Sequence, residues 1–499
     1  MTSLETPTEP ASPTEPTNAA VVDGHAQGIL STSGLLLVRR LIATIGAAVA
    51  TAVVARQLST ESFGLYSAAL ATFFLAQAFS DLGFAAVVSR ELATRPDERP
   101  ALLRAGLRPS VAWSLVIAVA FGVFALLSAD STRLACLLIF VPALAVTGLA
   151  VARQWFIVSY DVRRMAAVDT VCNLSQVVAL ILVSVLGGGP VGLAVVVAVS
   201  TILNTMVVAV GAVRRAGPAV VRVADSRALV IMALPIGIPS VLASAYFSLD
   251  LVLAGYLIPA EQVAQYAAAV KLLTLVTVLP ALLMSVALPG LSAVRESADP
   301  QTLGELVARV WHLLAALGLP VCVALACYAP LATRSFFGDR YLEAADPLRV
   351  LMAAGVMALL GNVFGILLIA ARRSVATLVP NLIALAANVG LNVVLLPRFG
   401  IMAAAWLTLA TEGFIVGCSL LLLRRTMRWG PFFRVSWRPV LAAAAAAGVS
   451  FLPVGDVVRV VGSVVVFVAV LTVLRGWPLD LQLALRRVTR SSKPAGGTP

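Results

Sequence analysis

The chain has 499 residues, of which 60% are hydrophobic and only 12% charged, with a mean hydropathy of +0.98 and a net charge of +12. A soluble domain carries about a quarter charged residues, so these figures exclude a soluble enzyme or binding module and require a chain that crosses a membrane many times. The positive charge is almost all arginine, placed in short segments between apolar runs. That is an orientation signal and not a nucleic-acid footprint, so no nucleic-acid partner is expected.

Residues 1–27 are rich in Thr, Pro and Glu and contain no Lys or Arg. Such a segment buries too little apolar surface to order itself, and it lacks the basic start of a signal peptide. It reads as a disordered, acidic, Pro-rich cytoplasmic tail. A spanning helix needs about 20 apolar residues. On that measure the chain is an all-α polytopic membrane protein of about fourteen spans: 29–55, 63–88, 109–129, 134–158, 165–186, 191–213, 228–257, 263–291, 306–329, 348–371, 375–396, 401–423, 437–453 and 457–474. Of the 36 Lys and Arg residues, 26 (Arg153 among them) lie in or at the edges of alternate loops and the C-terminal tail, seven in or at the edges of the opposite loops, and Arg39, Arg40 and Lys271 deeper inside spans. The positive-inside rule then places both termini in the cytoplasm of a multi-pass plasma-membrane protein.

One stretch occurs twice. Residues 58–69 read LSTESFGLYSAA and residues 258–269 read IPAEQVAQYAAA, aligning Glu61 with Glu261 and Tyr66 with Tyr266. A second pair of marks, GGGPVGLA at 187–194 and PRFGIMAA at 397–404, agrees at an offset of 210. The repeat predicts an N-lobe of helices 1–6 over 28–215 and a C-lobe of helices 7–12 over 226–425. These are six-helix lobes related as parallel repeats, the substrate site lying between them. Helices 13 and 14 over 436–475 have no counterpart, and 476–499 form a basic cytoplasmic tail.

Charges inside spans mark functional sites by default. Arg39 and Arg40 lie about ten residues into helix 1, and Asp81 lies at matching depth in helix 2, so one arginine can pair with Asp81 and leave the other for an anionic substrate. Headgroup contact is the competing role for the two arginines. Asp250 and Lys271 flank the turn between helices 7 and 8 at similar depth, as an ion pair or a substrate contact. Glu412 lies near the middle of helix 12 without an obvious basic partner and is a coupling candidate. His312 reads as interfacial.

The five cysteines lie in apolar runs without C-x-x-C spacing, which predicts buried thiols and no metal site. There is no G-x-x-x-x-G-K-[ST] and no loop long enough for a catalytic domain. No cofactor and no enzymatic activity are expected.

The runs VARQLSTESFGLYSAAL (54–70), SDLGFAAVVSREL (80–92), PIGIPSVLASAYFSLDLVLAGYLIPAEQVAQYAAAVKLL (235–273), FFGDRYLEAADPLRVL (336–351) and LPRFGIMAAAWLTLATE (396–412) carry a resemblance. Together they resemble the Wzx-like lipid-linked oligosaccharide flippases of the multidrug/oligosaccharidyl-lipid/polysaccharide exporter superfamily. The resemblance implies two lobes around a central cationic cavity, and transfer of a polyprenyl-diphosphate-linked glycan from the inner to the outer leaflet for cell-surface polysaccharide biosynthesis. It also implies a polysaccharide polymerase or glycosyltransferases as partners. Arg39, Arg40 and Lys271 are the cavity candidates; Asp81, Asp250 and Glu412 are the pairing or coupling candidates. A multidrug/cation antiporter of the same fold, which would favour acidic cavity residues, is the alternative. A membrane-integral glycosyltransferase or glycan ligase is a third reading.

Overall fold

In a computed structural model of the protein, residues 42–478 are described, apart from 129, 160, 219–222, 298–299, 371–377 and 425–427. The described chain is helical. The elements are α1 (Ile42–Gln57), α2 (Thr60–Asp81), α3 (Phe84–Thr94), α4 (Arg99–Leu126), α5 (Ser131–Thr147), α6 (Arg153–Val158), α7 (Val162–Val185), α8 (Gly189–Ala216) and α9 (Val223–Leu257). They continue with α10 (Ala260–Ser297), α11 (Pro300–Cys327), α12 (Ala329–Phe337), α13 (Ala345–Ala370), α14 (Leu378–Phe399), α15 (Ile401–Leu423), α16 (Gly430–Val449) and α17 (Asp456–Val473). Among the described residues, eleven helices are long and apolar enough to cross a membrane. The expected spans overlap helices wherever they fall among the described residues, but those at 29–55, 228–257 and 437–453 are not among the eleven, so the count of fourteen is not reached.

Local chemistry sets the helix starts. The Ser59 side chain accepts from the Ser62 amide at 3.2 Å to begin α2, and Asp130 Oδ1 accepts from the Arg133 amide at 2.7 Å to begin α5, each satisfying a first-turn donor. Prolines occupy the first turns of α4, α8, α12 and α16, where their missing N–H costs nothing.

Three expectations need correction. The span expected over 63–88 is broken: Leu82 (φ 38°) and Gly83 (φ 80°) are both left-handed and separate α2 from α3. Hydropathy does not report backbone handedness, so the run looked continuous. The outer-loop run 336–351 is not a loop; it holds the end of α12, a 3₁₀ segment over Asp339–Ala344 and the start of α13. Arg153, counted above with the basic loops although the expected span 134–158 reaches past it, lies inside an apolar span running from Ser131 to Val158.

Loops gather at two ends of the bundle. At the basic end Arg104 donates to the Gly217 carbonyl, Arg215 pairs with Asp161 at 3.3 Å and Arg428 reaches Gln301 at 3.3 Å. At the opposite end each repeated stretch forms a cavity with the second mark of its own half. Glu61 and Ser62 line one of about 430 Å³ with Asp130 and Gly187–Val191; Leu257–Pro259 and Gln262 line another of about 440 Å³ with Glu343 and Leu396–Met402.

The halves meet along α2, α9 and α10. A Cβ on Gly64 would overlap the Ala260 carbonyl, and one on Gly255 would lie 2.5 Å from Ala68 Cβ. The two copies of the repeated stretch therefore abut. Near the basic end, a Cβ on Gly83 would lie 2.6 Å from Gly237 Cα. The seam is closed at both levels.

Helix α9 belongs to both halves. Leu229 and Ala233 pack into the N-terminal core with Phe84, Leu103 and Phe156. Ala254, about four turns beyond Pro239, packs into the C-terminal core with Tyr266, Leu314 and Phe364. The run Pro235-Ile236-Gly237-Ile238-Pro239 lies at the changeover, where proline removes helix hydrogen bonds and permits bending.

Candidate functional site

The described polar cluster with the clearest architecture surrounds Asp250, in the half of α9 that belongs to the C-terminal core. The residue is buried. Asn392 Nδ2 donates to its Oδ1 at 3.0 Å, Thr408 Oγ1 to its Oδ2 at 2.9 Å and the Tyr266 hydroxyl to Oδ2 at 3.4 Å. Four helices thus converge: α9, α10, α14 and α15. Asn392 Nδ2 also donates to Asn388 Oδ1 at 3.0 Å, while Asn392 Oδ1 is buried without a partner among the described residues.

Helix α14 explains how the amides arrive there. Its buried residues are Ala384, Asn388, Asn392 and Leu396, one every four positions. That spacing is a single narrow stripe, and its two central members are asparagines. Both were legible as an i, i+4 amide pair on an apolar helix, a pattern that charge-based reading passes over.

The donors to Asp250 are all neutral. No ion pair joins it to Lys271, and none to any other basic residue among the described ones. The expected Asp250–Lys271 pair is therefore not formed. Facing each other across the turn fixes depth, but helix rotation fixes partners, and Asp250 is turned towards α14 and α15. A buried carboxylate without a countercharge is costly. Its oxygens, the orphan Asn392 Oδ1, Asn388 Oδ1 and Thr408 Oγ1 form an all-oxygen set suited to a proton or a hard cation. Among the described residues no cluster of three His, Cys, Asp or Glu could hold a metal.

Lys271 is half-buried on α10, and its ammonium has no hydrogen bond or ion pair among the described residues. Arg39 and Arg40 lie outside the described residues, as does any pairing of theirs. Asp81 is exposed at the end of α2, where its Oδ1 accepts from the Ala85 amide at 3.3 Å and caps α3. It is a helix cap and not a mid-helix charge. Glu412 is buried in α15, with Oε2 3.9 Å from a Cβ built on Gly361 of α13. It has an interaction of its own, so the expectation of an unpaired carboxylate does not hold.

Two buried groups escaped the sequence reading. Asp169 of α7 is 1% exposed and pairs with Arg153 at 3.0 Å, whose other nitrogen donates to Asn204 Oδ1 at 3.2 Å. His312, expected at the membrane interface, is buried within the protein: its ring nitrogens face the Val435 carbonyl at 3.2 Å and the Gly476 carbonyl at 2.7 Å, tying α11 to α16 and to the segment after α17. The five cysteines are free thiols.

Two helical halves closed on a shared seam, a buried carboxylate in one of them and an apolar exterior define a multi-pass membrane protein with the multidrug/oligosaccharidyl-lipid/polysaccharide exporter fold. The solved structures it is similar to share that fold. A lipid II flippase MurJ in an inward closed conformation superposes with a TM-score of 0.71 at 13% identity, covering 88% of this chain and 98% of that one. An inward-facing multidrug resistance MATE family transporter gives 0.61 at 14%, covering 79% and 98%. A transporter of the same superfamily from Pyrococcus furiosus, described by the reverse polarity of its binding pocket, gives 0.54 at 14%, covering 84% and 96%. No curated protein matches the sequence. The sequence profile of the polysaccharide biosynthesis protein family matches residues 29–295, just over half of the chain, and the protein belongs to that family.

Proposed function

We propose that the protein is a flippase that moves a polyprenyl-diphosphate-linked oligosaccharide from the cytoplasmic to the outer leaflet by alternating access, coupled to a cation at Asp250. The observation that carries this reading is the separation of charge across α9 and α10. Asp250 is solvated by neutral donors, while the Lys271 ammonium has no partner among the described residues.

The seven-to-26 bias of Lys and Arg orients the basic end to the cytoplasm. Lys271, with Arg39 and Arg40, supplies cationic contacts for the diphosphate while the prenyl chain stays in lipid. Binding of a proton or metal cation would neutralise Asp250 and change its demand on Asn392, Thr408 and Tyr266. Because α9 is shared between the cores, a rearrangement at Asp250 is transmitted to Gly237 at the seam. Asp81 is left out of this scheme by its exposed capping role. A polymerase or glycosyltransferases would take up or supply the glycan.

Asp250 is also what a multidrug/cation antiporter would use, which keeps that reading as the second. The purified protein reconstituted with a polyprenyl-diphosphate oligosaccharide separates them. Cation-dependent exposure of unmodified glycan to an impermeant glycosidase supports the flippase. Efflux of an organic cation, with no glycan transfer across several glycans, supports the antiporter.

A further inference from the structure

The end of the bundle opposite the arginines holds a contact that neither the substrate cations nor Asp250 explains. Arg56, at the close of α1, reaches across to the C-terminal half. Its Nε donates to the Phe336 carbonyl at 3.1 Å, and its Nη2 donates to the Ser335 carbonyl. Both carbonyls lie in the last turn of α12, where helix carbonyls have no helical partner and carry partial negative charge. The reverse contact lies beside it. Tyr341, buried in the 3₁₀ segment after α12, donates its hydroxyl to the Ala55 carbonyl at 3.1 Å. That carbonyl belongs to the last turn of α1. Each helix end is thus capped by a side chain from the other half, through adjacent residues 55 and 56.

The turn between the two contacts is glycine: Gly338 has φ 99°, and a Cβ there would lie 4.0 Å from Arg56 Cγ. Phe63 of α2 meets the Tyr341 ring edge-on at 5.8 Å. Nearby, Arg133 of α5 lies 4.8 Å from the centre of the Tyr256 ring of α9. All of these contacts join the two halves at one end, and none can persist if that end opens.

We propose that Arg56 and Tyr341 form a reciprocal clasp that holds this end of the transporter shut and must release in every cycle. The chemistry suits a gate more than a permanent bond. The acceptors are neutral carbonyls, the guanidinium is exposed, and water can replace each bond when the clasp parts. The inference rests on the alternating-access reading above but needs no knowledge of the substrate.

The test uses spin labels on S131C and R398C, exposed positions at this end in opposite halves, in full-length protein with its native cysteines replaced. Electron–electron distance distributions would be recorded for the parent and for R56Q, Y341F and the double variant. Loss of three hydrogen bonds, two of them from a guanidinium, shifts a two-state equilibrium by roughly tenfold or more, so the double variant should gain a longer-distance population absent or minor in the parent. Y341F, which keeps the ring in its place, covers the case in which R56Q does not fold. An unchanged distribution in the folded variants, with the parent still responding to substrate or cation, overturns the clasp and leaves alternating access standing. A parent that responds to neither, together with unchanged variants, overturns both.

Discussion

Asn392 donates to Asp250 at 3.0 Å across the contact between α14 and α9. The bond gives a charged acceptor to a neutral amide whose own oxygen has no partner among the described residues.

Asp250→Asn keeps the shape and removes the charge. Transfer measured in proteoliposomes with and without a proton or sodium gradient should lose its gradient dependence in this variant. Gradient stimulation equal to that of the parent would remove Asp250 from coupling.

Asn392→Ala deletes a donor to a buried acid. A hydrogen bond to a charged group contributes about 1.5–3 kcal/mol, so the melting temperature in detergent should fall measurably. Asn388→Ala, which removes both the acceptor for Asn392 and a further amide facing the carboxylate, should lower it as well.

Arg153 and Asp169 make the opposite comparison. Removing one partner of a buried ion pair costs about 3–5 kcal/mol, while replacing both with apolar residues is often neutral. Arg153→Met should destabilise strongly, and R153M/D169L should recover most of the loss by thermal unfolding. Equal destabilisation by single and double variants would show that the pair has a role beyond mutual neutralisation.

Gly237 and Gly64 are close approaches at the two levels of the seam. A side chain on Gly237 must push against the Leu82 carbonyl, and one on Gly64 against the Ala260 carbonyl. Gly237→Val should favour opening at the basic end, and Gly64→Val opening at the other. Labelling of single cysteines from the two sides should then change in opposite senses; a parallel change would mean that the substitutions only loosen the fold.

His312 bridges two backbone carbonyls on different segments. Asparagine can reach only one of them from the same position. His312→Asn should leave the two lobes intact but make the α16–α17 hairpin more susceptible to limited proteolysis near Gly476. Unchanged cleavage would limit the bridge to local packing.

Sequence carried the fold a long way because hydropathy is a local sum. An apolar run of sufficient length is a helix in a bilayer wherever it packs, since every backbone group must be satisfied within it. The repeat was equally legible, and the cavities at Glu61 and Gln262 each unite the two marks of one half. The site was only partly legible. Asp250 and Lys271 stood out as charges in apolar runs, yet Asn388, Asn392 and Thr408 were passed over because a reading by charge gives no weight to neutral polar residues, which occur throughout membrane helices. Asp169 was missed because it sits next to a basic loop, close enough to the helix end to read as interfacial.

By itself the sequence determined the membrane class, the helical runs, the duplicated halves and the family. Only the tertiary structure decided that Asp250 turns to Asn392 and Thr408 instead of Lys271, that α2 ends at a left-handed pair against Gly237, and that α9 is shared between two cores. The physical reason is that lipid and protein interior are both apolar. In water an apolar stripe marks the buried face of a helix; in a membrane it does not, and rotation is fixed by close packing of small residues and by scattered polar contacts. Those contacts join residues more than a hundred positions apart, as Asn392 and Asp250 are, and chain order does not reveal them.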